Sequence, residues 1–204
     1  EDEWYKAAYF SGQPAPGDWT DQAPSGWSVS NGNKHGKPFS EESENALTAD
    51  EFNGWTFHNI KSWSRNDSNI SIRNKFTKGT GTIAVIDPYE FSLETAGVTT
   101  QSEISTPSID ISGAVAGELK LNFDSSWPRH TPNHASISVS YDGAAPITIK
   151  QIKERKYGYN ANKTINLDNP EGAQSATFTW SYETSEDLWH CLLYTSDAAD
   201  ETVS

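Results

Sequence analysis

Three segments of the chain alternate apolar and polar residues with a period of two. In ELKLNFDSSW, Leu119, Leu121 and Phe123 fall on one side and Lys120, Asn122 and Asp124 on the other. ASISVSYDG sets Ile137, Val139 and Tyr141 against serines, and SATFTWSYE sets Phe178, Trp180 and Tyr182 against Thr and Ser. Successive side chains of a strand point to opposite faces, so each segment predicts a strand with one face buried. Asp142-Gly143 ends the second as a tight-turn dipeptide. GTIAVIDP departs from the alternation: it is apolar without a break from Ile83 to Ile86 and is closed by Asp87-Pro88. That pattern predicts a strand buried on both faces.

Apolar residues at helical spacing rarely continue beyond two turns. SEESENALTADEF suits either one short helix, with Ser40 or Ser43 as cap and acids in its first turn, or an acidic loop. Between the strands lie loops such as SGQPAPGD and SNGNKHGKP, rich in Pro, Gly, Asn and Ser. Short alternating strands with such punctuation predict an all-β sandwich. At 204 residues the chain is long enough for one domain with a sizeable core.

Charge narrows the partners. The formal net charge is −13, and three of the acids fall in 191–204. Binding to a phosphate backbone depends on Lys and Arg displacing counterions, so this surface predicts no nucleic-acid partner and no attraction to anionic lipid. No stretch approaches the ~20 apolar residues of a membrane helix, and no basic-then-apolar leader stands at Glu1. The absence of Met predicts a piece of a longer polypeptide, from which a signal peptide could have been lost. Eight each of Trp, Tyr and Phe with a single Cys describe a β-rich chain that avoids oxidisable thiols, and the expected location is extracellular.

Aromatic residues offer the better functional chemistry. A sugar ring presents an apolar C–H face and a hydroxyl edge, which an exposed Trp beside Arg, Asn or Asp can stack on and hydrogen-bond. FDSSWPRHTPNHAS supplies Trp127, Arg129 and His130, with Trp127 expected at a strand end. Trp127 suits binding or packing equally. Trp63, flanked by Lys61, Ser62, Ser64 and Arg65, is expected to be exposed, and Trp55 offers a similar group. Trp27 and Trp180 are expected in the core. His130 and His134 stand four apart, but Pro128 and Pro132 make the segment a loop and remove the helical basis for a zinc pair. Completing such a site would need Asp124 or His58. No G-x-S-x-G elbow is present.

SGWSVSNG, FNGWTFHN, FTKGTGTIAVIDP, SEISTPSIDISGA, LNFDSSW, VSYDG and LDNPEGAQSATFTWSYE follow one another in an order that resembles the cleaved-adhesin or choice-of-anchor J group of MAM-like domains, from about Gly26 to Trp189. The resemblance implies a two-sheet antiparallel jelly roll of secreted bacterial proteins, attached to hydrolases, peptidases or surface adhesins, generally non-catalytic and often holding structural calcium. Calcium takes several hard oxygens. Asp87 and Glu90 in DPYE and Asp124 in FDSS are the candidate donors, with turn capping as the alternative for Asp87.

That group closes on a strand reading Trp-x-x-Asp-Asn or Trp-x-Ile-Asp-Asn. Here ETSEDLW leads towards it and WHCLLYTSDAADE breaks it. Residues Cys191 to Glu201 back-translate into a sequence resembling the transposon end and adapter of sequencing libraries. The expected organisation is one jelly-roll domain over 1–190, cut within its last strand, and a non-native tail over 191–204. CLLYTS is apolar enough to take the missing strand's place. The expected function is a non-catalytic secreted accessory module that binds carbohydrate or another extracellular ligand and tethers an attached hydrolase. The alternatives are an adhesin or spacer working through contacts with a surface protein, and a fragment of a secreted metallohydrolase.

Overall fold

The computed structural model describes residues 19–31, 54–65, 76–79, 81–86, 100–127, 134–152, 158–184 and 191–194. Within them run β1 (Trp19–Thr20), β2 (Ser28–Asn31), β3 (Thr56–Asn59), α1 (Ile60–Arg65), β4 (Thr82–Ile86), β5 (Thr100–Ser105), β6 (Ile109–Asp110), β7 (Lys120–Trp127), β8 (His134–Tyr141), β9 (Ile147–Ile152), β10 (Gly158–Asn166), β11 (Ser175–Thr184) and β12 (Cys191–Tyr194). Sheet A has the order β1-β3-β4-β12-β7-β10 and sheet B the order β2-β5-β11-β8-β9, with β6 paired to β11. The pairs are antiparallel throughout, and the two sheets form a jelly-roll sandwich. No helix of the described residues is long and apolar enough to cross a membrane. The SEESENALTADEF segment lies outside the described residues, as do Asp87 and Pro88.

The alternating segments meet in one interior. Leu121 and Phe123 of β7, Ile137 and Val139 of β8, and Phe178, Trp180 and Tyr182 of β11 belong to the same buried cluster. Trp180 stacks on Trp27 with ring centroids 6.3 Å apart and takes the edge of Phe123 at 5.7 Å, which ties sheet B to sheet A. Such aromatic pairs are worth about 0.5–1.5 kcal/mol beyond area burial. Asp142 and Gly143 both have positive φ, at 51° and 73°. The Asp142 carboxylate accepts the backbone N–H groups of Gln174 and Ser175 at 3.0 and 2.8 Å, so the turn after β8 also anchors the entry to β11.

β4 is buried on both faces for a specific reason. Ala84 and Ile86 join the inter-sheet core, whereas Ile83 and Val85 pack on the far side of sheet A with Trp63 and Phe76. Short helix α1 supplies that cover. Asn59 Oδ1 accepts the Lys61 N–H at 3.0 Å in the manner of an N-cap, and the Ile60 N–H reaches the Gly81 carbonyl at 2.9 Å. KSWSR is therefore helical, with its tryptophan turned onto the sheet.

β12 lies between β4 and β7, with Leu192 opposite Val85 and Ser126. The CLLY segment thus sits in the middle of sheet A, as its apolar character allows. Pairing of this kind depends on pattern and is indifferent to where a segment came from.

Candidate functional site

The outward face of sheet B follows from register alone. Val29 and Ile104 are opposite one another and turned inward, and Ile104 is opposite Trp180, itself opposite Ile137. Their neighbours therefore point away from the core and form a row across five strands. Ser30 of β2 faces Glu103 of β5, Glu103 faces Ser181 of β11, Ser181 faces Ser136 of β8, and Ser136 faces Gln151 of β9. An adjacent row places Gln101 opposite Glu183, and Glu183 opposite His134. The first row, with Gln101 and Glu183 of the second, lines a groove of about 560 Å3.

Side-chain bonds hold the rows in place. The Ser181 hydroxyl donates to Glu103 Oε1 at 2.8 Å, and Ser105 and Thr179 share a hydroxyl bond at 2.8 Å. Ser hydroxyls and Gln amides both donate and accept, while ionised Glu only accepts. The groove therefore presents mixed donors and acceptors across its width, a surface matched to a ligand that is itself rich in hydroxyls. Beneath it, Ser102 and Tyr182 are buried, so the floor rests on the packed core.

The aromatic residues expected to stack on a ligand are placed differently. Trp63 is 2% exposed and Trp55 1% exposed, which corrects the expectation that they offer open ring faces. Trp63 belongs to the small core beneath α1. Trp55 belongs to the main core, and its backbone N–H is shared by Asn31 Oδ1 at 2.9 Å and Ser102 Oγ at 3.0 Å. The polar neighbours of Trp63 in sequence misled because the helical turn lays its side chain on the sheet while Lys61 stays exposed. Trp127 ends β7, opposite Gly158 of β10. Arg129 and His130 lie outside the described residues.

Of the three calcium candidates, Asp124 is the one that falls within the described residues. Asp124 points to the outer side of sheet A, since Phe123 beside it faces the core. Its Oδ1 accepts from Asn162 Nδ2 at 3.0 Å and stands 3.9 Å from Lys78 Nζ. A carboxylate already facing an ammonium and an amide donor does not fit a calcium ligand, which needs several converging oxygens. Asp87 and Glu90 lie outside the described residues. His134 begins a strand of sheet B, in the other sheet from Asp124, and His58 is buried against Thr56 Oγ1 at 2.9 Å. Among the described residues no group of three His, Cys, Asp or Glu side chains could hold a metal ion.

Sequence reasoning missed the groove because it used the alternation only to find the core. The signal was present in the complementary positions. Ser136, Ser181, Gln101 and Glu103 are the polar halves of ASISVSYDG, SATFTWSYE and TQSEIS, and antiparallel pairing brings them side by side.

No protein-family model matches the chain, and no curated protein matches it. Among solved structures, the chain is similar to TmCBM61 in complex with β-1,4-galactotriose, with a TM-score of 0.48, 11% sequence identity, and coverage of 84% of this chain and 86% of that one. It is also similar to the enzymatically active domain of bacteriophage CBA120 tailspike protein 4, with a TM-score of 0.44, 15% identity and coverage of 93% of this chain, although it spans only 21% of that chain.

Proposed function

We propose that this chain is a non-catalytic extracellular module that binds carbohydrate along the outer face of sheet B and, in a longer protein, tethers an attached hydrolase to its target. The observation that carries this reading is the five-strand polar row from Ser30 to Gln151 lining an open groove. Each neutral hydrogen bond there contributes only about 0.5–1.5 kcal/mol, so affinity for a single chain end is modest. Modest affinity suffices for tethering, because a linked domain gains through effective concentration. Membership of the cleaved-adhesin or choice-of-anchor J group belongs to the same proposal, as does a foreign origin for residues 191–204.

Retention on immobilised insoluble polysaccharides tests it. Gln151→Ala removes a donor and acceptor from the row, and Ser136→Tyr fills the groove. Each variant is expected to weaken retention roughly three- to tenfold, the equivalent of one lost neutral bond, with an unchanged unfolding temperature. Retention equal to wild type in both variants would remove the groove from the function.

A second reading, an adhesin or spacer acting through contacts with a surface protein, is favoured by two observations. Trp55 and Trp63 offer no open aromatic platform, and β9 ends sheet B with Ile147 57% exposed, a sheet edge of the kind that pairs with another chain. Wild-type protein that no polysaccharide retains would favour this reading.

A further inference from the structure

Resting on the carbohydrate reading of the groove, we infer that its preferred ligand is a glycan bearing free amines, and that anionic glycans are excluded. Among the described residues, those lining the groove include two carboxylates, Glu103 and Glu183, and neither Lys nor Arg. Glu103 faces Ser181, and Glu183 follows two residues along the same strand, facing Gln101. The two carboxylates are therefore diagonal neighbours on adjacent strands, a relation that separates residues by about 7–8 Å. That is a backbone-level separation, so the two residues place carboxylates at neighbouring positions along one stretch of the groove.

An ammonium donates three hydrogen bonds and accepts none, and an ionised carboxylate only accepts. Bonds between two charged groups are shorter and roughly twice as strong as neutral ones. The acetylated form of the same sugar lacks the positive charge and keeps only a neutral N–H. A uronic acid would set carboxylate against carboxylate in a chain whose net charge is already −13, and that field opposes its approach. His134 stands at the register position opposite Glu183, and it is common to every ligand compared.

The test is titration of the whole chain with glucosamine oligomers, their N-acetylated counterparts and oligogalacturonate, at a pH where the amine is protonated. Wild type is expected to bind the amine form at least about fivefold more tightly than the N-acetyl form, with the ratio shrinking as salt shortens the Debye length below about 10 Å. In Glu103→Gln and Glu183→Gln, both exposed positions, the ratio is expected to fall towards one without a change in unfolding temperature. A wild-type ratio near one, or uronate binding as tight as amine binding, would overturn the inference while leaving the groove a glycan site. Failure of all three oligomers to bind would remove the carbohydrate reading itself, and this inference with it.

Discussion

Replacing Trp63 with Ala separates a structural tryptophan from a ligand platform. At 2% exposure its indole packs with Phe76, Ile83 and Val85 on the side of sheet A away from the groove. A buried Trp hides about 150–250 Å2, which at about 25 cal/mol per Å2 corresponds to roughly 4–6 kcal/mol of transfer free energy. Truncations of this kind in protein cores cost about 3–5 kcal/mol. Against a total stability of about 5–15 kcal/mol that is a large fraction. At roughly 2–4 °C per kcal/mol for a chain of this size, the unfolding temperature is expected to fall by roughly 6–20 °C. Trp63→Phe keeps most of the apolar volume and is expected to recover more than half of the loss. Thermal unfolding followed by near-UV circular dichroism gives the first quantity, and polysaccharide retention below the transition gives the second. The remaining folded Trp63→Ala protein is expected to be retained like wild type. Lost retention with an unchanged unfolding temperature would refute the argument, because it would require the indole to act from the surface.

Two further outcomes follow from single positions. Gly54 has φ of +86°, and a Cβ there would collide with the Asn31 carboxamide and Ser102 hydroxyl that hold the Trp55 backbone N–H; Gly54→Ala is expected to lower the unfolding free energy from urea titration by more than the about 1–2 kcal/mol of a left-handed backbone alone, and a midpoint within error of wild type would contradict the geometry. Burial first, and the Asp168 carboxylate second, raise the Tyr141 phenol above the ordinary phenol value of 10.0. The folded chain therefore holds that proton after the unfolded chain has lost it, and the stability that Tyr141 contributes is complete below pH 10 and declines as pH rises through and beyond it. Tyr141→Phe is expected to flatten this alkaline decline in denaturant titrations, and an unchanged slope would count against it.

The core was legible because alternation is a local property. Leu121, Val139 and Phe178 each announce an inward face within a few residues, and Ile83 to Ile86 announce two covered faces without saying what covers them. The cover for Ile83 and Val85 was not legible. It comes from Trp63, whose sequence neighbours are polar and whose side chain reaches the sheet only because Asn59 starts a helical turn. The groove was half legible. Each serine was visible as an outward residue, but the row exists only once β2, β5, β11, β8 and β9 stand side by side, an order that no run of neighbouring residues encodes. Asp124 fell on the polar side of its strand as alternation predicts, yet Lys78 and Asn162, neither of them near it in sequence, determine its chemistry.

The two outer faces of this sandwich have been given different work by the same pattern. On sheet A, apolar residues at the outward positions of β4 require a cover, and α1 with Phe76 provides it, so changes there register as stability. On sheet B, outward positions among the described residues hold Ser, Thr, Gln, Glu and His134, and none of these demands an apolar cover. That face stays open to water while its backbone is fixed by the core directly beneath. The serines of a row mounted in this way lose little conformational freedom when a ligand settles on it, since short side chains have few rotamers to give up, and Glu103 is already held by Ser181. The weakness of individual Ser and Gln contacts is thereby partly offset, and a surface without aromatic stacking can still hold an extended, hydroxyl-rich chain.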